Sequence, residues 1–102
     1  MVICPDYDIV DNAAEGRYEA VVRAGARDAG RVIGVLRYRR QDGVVVMPST
    51  VTDPAYRGNG IASALTRQAL DAARGQGLRV RPDCWYVEEW IDEHPDYADL
   101  RA

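Results

Sequence analysis

The chain of 102 residues contains no lysine, and all 13 of its basic side chains are arginine. Without a side-chain amine there is no Schiff-base chemistry, no lysine anchor for pyridoxal and no Walker-type phosphate loop. Cysteine is scarce as well. Cys4 and Cys84 cannot complete a four-ligand zinc site by themselves, and they need no disulfide in a reducing compartment. No metal site is expected. No stretch approaches the ~20 apolar residues of a bilayer span. The first residues, Met1-Val2-Ile3-Cys4-Pro5-Asp6, lack the basic region and apolar run of a secretion signal. No membrane partner is expected, and the expected compartment is the cytoplasm. Clustered cations are also lacking. The net charge is −3, and the densest basic group is Arg37, Arg39 and Arg40, whose alternate members read as the solvent face of a strand. Nucleic acid is therefore not an expected partner.

What is present suits one small domain. Hydrophobic residues make up 47% and charged residues 28% of the chain, ordinary values for a globular protein. A chain of this length buries roughly 65% of its unfolded surface, enough for one layered core but not for a deep cavity. Any ligand site is expected as a surface groove. After a lead-in strand fragment and turn ending near Gly16, Arg17–Arg23 alternates polar and apolar residues as a half-buried strand does. Arg31–Arg39 follows as a longer strand, Gln41-Asp42-Gly43 signals a hairpin, and Val44–Thr52 is a third β-branched run. Pro48 has no N–H to donate, which predicts an edge, a bulge or a splay at that point. From Gly60 the period changes. Ile61, Leu65, Ala69 and Ala72 or Ala73 share one helical face, with Asn59 as the expected N-cap and Gly75 or Gly77 as the stop. Leu78–Arg81 reads as a short strand, and Trp85–His94 as a second helix ended by Pro95. The order is β-β-β-α-β-α: an α+β domain with two helices and a mostly antiparallel sheet, its last strand reached through a helical crossover.

The segment Asp53-Pro54-Ala55-Tyr56-Arg57-Gly58-Asn59-Gly60-Ile61-Ala62 lies between a strand and the long helix. Glycines allow close backbone approach, and the first helical turn offers unpaired N–H groups at the positive end of the helix dipole. Arg57 adds a planar cation suited to a diphosphate. Such a turn binds phosphate, or it is merely a tight turn with a helix cap. A dinucleotide-binding turn fits poorly, because Ser63 stands where G-x-G-x-x-G needs its third glycine and a meander precedes it.

Arg57-Gly58-Asn59-Gly60-Ile61-Ala62 resembles the R/Q-x-x-G-x-G/A motif of the GNAT superfamily of N-acetyltransferases, with Arg57, Gly60 and Ala62 in its first, fourth and sixth positions. Downstream, Pro82-Asp83-Cys84-Trp85-Tyr86-Val87 and His94-Pro95-Asp96-Tyr97 are similar to the small single-domain branch, which carries a C-x-Y core and an H/N-P ending. The resemblance runs from about Arg17 to Tyr97. It implies a GNAT-like fold without the two N-terminal helices of full-size members, and acetyl-CoA as cosubstrate. The diphosphate would lie on Arg57, Gly58, Asn59, Gly60, Ile61 and Ala62, with pantetheine along Ser49, Thr50, Val51 and Thr52. An open acceptor side favours a primary amine of a protein, peptide or polyamine. Relatives often carry an acidic residue on the strand before the glycine turn. Ser49-Thr50-Val51-Thr52 lacks it, which argues against direct proton abstraction at this position if that acid is a base in relatives, and keeps a non-catalytic acyl-CoA-binding module as the alternative.

Two side chains are the catalytic candidates. Cys84 reads as a nucleophile, as a thiol near the thioester, or as a small buried hydrophobe, and a nucleophilic role needs a lowered pKa at the following helix N-terminus. The Tyr86 phenol could protonate the leaving thiolate, or simply pack on its helix. Glu88, Glu89 and Glu93 supply no assigned base. His94 reads as a helix cap, and Trp85 and Trp90 as core and groove wall.

Overall fold

The computed structural model describes residues 4–102. These residues form five strands, two α-helices and three short 3-10 turns, with one mixed sheet in the order β1-β2-β3-β4-β5. The strands are β1 (Tyr7–Asn12), β2 (Arg17–Val22), β3 (Val32–Gln41), β4 (Val44–Thr52) and β5 (Arg79–Arg81). The helices are α1 (Ile61–Gly75) and α2 (Trp85–Glu93). Neighbouring strands from β1 to β4 pair antiparallel, and β5, reached through α1, pairs parallel with β4.

The expected meander is present, and the lead-in fragment is a full strand: Tyr7 to Asn12 pair residue for residue with Val22 to Arg17. Asp42 and Gly43 form the two-residue hairpin between β3 and β4, with φ of 53° and 78°. Positive φ at both positions matches the right-handed twist of the flanking strands, and Asp-Gly tolerates it.

Pro48 marks a bulge. The register passes from Arg39↔Val46 to Arg37↔Ser49, so Met47 and Pro48 together oppose Tyr38. It also marks a splay. β5 pairs with β4 only over Val44, Val45 and Val46. The Cys84 N–H then donates to the Met47 carbonyl at 2.8 Å, after which the chain turns into α2. Beyond Met47 the outer edge of β4 has no strand beside it among the described residues.

In α1 the buried residues are Ile61, Leu65, Thr66, Ala69, Leu70 and Ala73, so the stripe is wider than the spacing of Ile61, Leu65 and Ala69 indicated. Thr66 is tolerated in it because its hydroxyl donates to the Ala62 carbonyl at 2.8 Å. The helix ends as expected. Gly77 has φ 70°, and the N–H groups of Leu78 and Gly77 donate to Ala73 and Arg74 carbonyls, satisfying the last turn. The start differs by one residue. Gly60, with φ 75°, is the N-cap, while the Asn59 amide turns back to donate to the Tyr56 carbonyl at 2.8 Å.

The chain does not stop folding at Pro95. Pro95–Leu100 is a 3-10 turn that inserts Tyr97 and Leu100 into the core, and Arg101 then bridges to Val80 beside β5. The sequence pattern missed this segment because two apolar anchors, three residues apart in a six-residue turn, are too few to establish a period. The core gathers Ile33, Leu36, Met47, Leu65, Leu70, Val80, Val87 and Ile91 between the sheet and the two helices. Arg37 and Arg39 are exposed on one strand face, as alternation indicated, and Arg40 on the other bonds Gln76.

Candidate functional site

The splay and the start of α1 frame an open groove of about 670 Å³, within the range of small-molecule sites. Thr50, Val51 and Thr52 line one side, Arg57, Gly58, Gly60, Ile61, Ala62 and Ser63 the end, and Trp85 and Tyr86 the other side. Sequence reasoning thus places three of its four β4 residues and five of its six glycine-turn residues on one concavity. Ser49, Asn59 and Cys84 stand outside the lining.

The glycine turn is formed by the sequence in a specific way. Asp53 accepts the Ala55 N–H at 2.9 Å and caps a single 3-10 turn, Pro54–Tyr56, whose Tyr56 is buried as an anchor. The chain then runs through Gly58 and Gly60, at φ 84° and 75°, conformations that glycine adopts without strain. A Cβ built at either glycine meets nothing within 4 Å, so both face open space. No side chain caps the N-terminus of α1. Its first N–H groups therefore present a positive dipole end to the groove. Arg57 is exposed and forms no ion pair among the described residues. Together these groups have the chemistry to hold an anion. Along β4, alternate backbone groups point to the strandless side, where an extended ligand with amides can pair with them.

Cys84 is 7% exposed and donates its thiol toward Thr50 Oγ1 at 3.6 Å, which brings it against the groove from beneath. Tyr86 is partly buried at the groove's side. Burial pushes its phenol pKa up, a hydrogen bond with Ser63 lowers it, and the nearby Glu93, Cys84 and Glu89 raise it further. The net shift is upward, so the phenol keeps its proton at neutral pH.

Ser63 escaped sequence reasoning. It accepts the Trp90 indole N–H at 2.9 Å and also meets Tyr86, tying the first turn of α1 to α2. Only the crossing of two helices brings these residues together, so no local pattern announces them. Trp90 is buried at 4% exposure, whereas Trp85 is 73% exposed and forms groove wall, matching the two expected roles. His94 is a cap. Its Nδ1 lies 2.6 Å from the Trp90 carbonyl at the end of α2, and its ring stacks on Trp90 at 3.6 Å. Cys4 and Cys84 are both free thiols, and Cys4 packs at the margin of the core. No helix among the described residues is long and apolar enough to cross a membrane.

Comparison with known proteins agrees with this architecture. A solution structure from Staphylococcus aureus described as GCN5-like superposes with a TM-score of 0.69 at 17% identity, covering 93% of this chain and 87% of that one. Protein NATD1 of Bos taurus is 38% identical over 52 residues, 51% of this chain and 46% of that protein. The Gallus gallus protein is 36% identical over 52 residues, 51% of this chain and 47% of that protein. The matched stretch spans about half the length of these relatives. The profile of the GCN5-related N-acetyl-transferase family matches residues 17–100, most of the chain, glycine turn and α2 included. The chain belongs to the GCN5-related N-acetyltransferase family.

Proposed function

We propose that the protein is an acetyl-CoA-dependent N-acetyltransferase acting on a primary amine. The observation that carries this reading is the continuity of the anion cradle at Arg57–Ala62 with the strandless edge of β4 in one groove. A diphosphate suits the uncapped α1 N-terminus and the Arg57 guanidinium, which holds phosphate oxygens with paired hydrogen bonds. Pantetheine amides suit the free backbone groups at Thr50–Thr52. Acetyl-CoA supplies an activated thioester: the amine nitrogen bonds to its carbonyl carbon as the carbon–sulfur bond breaks.

Two side chains serve that exchange. Tyr86 holds a proton at Oη for the departing sulfur and regains one from water, while the proton lost by the amine passes to water. Cys84 lies behind the lining and reaches the groove only through Thr50, whose hydroxyl faces its thiol at 3.6 Å. Tyr86→Phe is expected to lower turnover by about 10²-fold or more with acetyl-CoA affinity unchanged, measured by free-thiol release and calorimetry. Cys84→Ala is expected to lower turnover by about 10-fold with binding intact. Unchanged turnover in that variant removes Cys84 from the chemistry. Acetylated Cys84 in a mass spectrum would make it a nucleophile.

A non-catalytic acyl-CoA-binding module is the second reading, favoured by the absence of a carboxylate on Ser49-Thr50-Val51-Thr52. Acetyl-CoA binding with no thiol release across a pool of diamines, peptides and protein amines would establish it. No binding at millimolar acetyl-CoA would reject both.

A further inference from the structure

A second groove of about 360 Å³ adjoins the first, sharing Ser63, Trp85 and Tyr86 with it and adding Glu89, Trp90, Glu93 and His94. Its chemistry is opposite to that of the glycine turn. Helix α2 carries four carboxylates that form two pairs spaced one turn apart: Glu88 with Asp92, and Glu89 with Glu93. The fold neutralises only the first. Arg101 Nη2 lies 3.2 Å from Glu88 and 2.6 Å from Asp92. Glu89 and Glu93 are exposed, border the groove and have no ion-pair partner among the described residues. Arg67, one turn along α1 from Ser63, stacks over the Trp90 ring at 5.1 Å and bonds the Tyr97 hydroxyl, and it makes no ion pair with Glu89 or Glu93.

Three physical costs meet at this spot. Like charges at i and i+4 repel, and Glu93 also sits at the negative end of the helix dipole. Beside them Trp85 exposes 73% of its surface, a large aromatic face open to solvent. One kind of ligand relieves all three: a cation that stacks on the indole, with a second positive centre for the second carboxylate. The Cβ atoms of an i,i+4 pair stand about 6 Å apart, a separation that three or four methylenes between two ammonium groups match.

We propose that the groove formed by Trp85, Glu89 and Glu93 binds a linear dicationic amine, a diamine or polyamine, and delivers one of its amines toward Tyr86. The delivery rests on the acetyltransferase reading; the binding does not. Because the two grooves share Tyr86 and Trp85, an amine held here lies at the border of the cofactor groove. The anionic groove also disfavours the phosphates of a nucleotide, so the two ligands are sorted by charge.

The test is calorimetry of the full chain with 1,4-diaminobutane, with n-butylamine and, separately, with acetyl-CoA. The diamine is expected to bind about tenfold more tightly than butylamine, and Glu89→Gln/Glu93→Gln to weaken it about tenfold or more. Glu88→Gln/Asp92→Asn makes the same change in net charge outside the groove and is expected to alter affinity less than about twofold. Trp85→Ala, at an exposed position that folding does not use, is expected to weaken the diamine as well. Equal loss in both double variants, or no diamine binding, would overturn the proposal. Acetyl-CoA binding in the same samples separates the two readings. Its presence without diamine binding rejects the amine groove alone, and its absence with diamine binding intact rejects the acetyltransferase reading alone.

Discussion

Gly60→Glu is expected to abolish measurable acetyl-CoA binding while leaving a folded protein. Gly60 is the N-cap of α1 at φ 75°, with open space where a Cβ would project. A glutamate there places a carboxylate in front of the uncapped N–H groups, occupying the anion cradle and repelling a diphosphate. Like charges brought together at a binding interface cost several kcal/mol. An affinity loss of at least ~100-fold, about 2.7 kcal/mol, is therefore expected in calorimetry. Holding a glutamate in the left-handed conformation of Gly60 also costs about 1 kcal/mol, which lowers the melting temperature by roughly 4–8 °C. Gly60→Asn separates the two effects. Asparagine tolerates the left-handed region and carries no charge, so it is expected to keep affinity within about tenfold. If Gly60→Glu binds acetyl-CoA as the parent does, the glycine turn is only a helix cap.

Gly34→Val is expected to produce the largest loss of stability. Gly34 lies in β3 between Ala20 and Thr52, where α1 crosses the sheet. A Cβ alone at this position would stand 2.7 Å from Ile61 Cγ2 and 3.1 Å from Leu65 Cδ1. Neither neighbour has room to retreat, since Ile61 is 1% and Leu65 0% exposed. The helix must move away from the sheet. Overpacking of this kind costs about 1–3 kcal/mol, and the branched side chain puts Gly34→Val at the upper end. A fall in melting temperature of roughly 10–20 °C is expected. Ile61 opens α1, so the displacement also reaches the glycine turn and is expected to weaken acetyl-CoA binding. A double-mutant cycle of Gly34→Ala with Ile61→Ala removes the clashing Cγ2 and is expected to recover at least ~0.5 kcal/mol relative to additivity. Additive losses would mean that the helix and sheet do not meet through this glycine.

The resemblance of residues 17–97 to the acetyltransferase family was visible in the glycine turn because that turn is local. Gly58 and Gly60 shape it through backbone conformation and Ala62 lies in the first turn of α1, both set within a few residues. The amphipathic period of α1 and the Asp42-Gly43 hairpin were legible for the same reason. Pro48 announced an irregularity but not its kind. Whether a missing N–H leads to an edge, a bulge or a splay depends on the partner strands, and here it accompanies both a bulge against β3 and the departure of β5.

Other features exist only through distant pairings. The approach of Cys84 to Thr50 joins residues 34 positions apart, and the Trp90–Ser63 bond joins residues 27 apart. Arg101 selects one acidic pair on α2 and leaves the other, although the four carboxylates look alike in sequence. The absence of lysine, the order of elements from Arg17 to Glu93 and the glycine turn were thus determined by the sequence itself, because composition and short-range backbone preference act without tertiary contacts. The opening between β4 and β5, the burial of Cys84 and the uncompensated Glu89 and Glu93 were decided by the tertiary structure, because accessibility and charge pairing depend on which surfaces meet across the core.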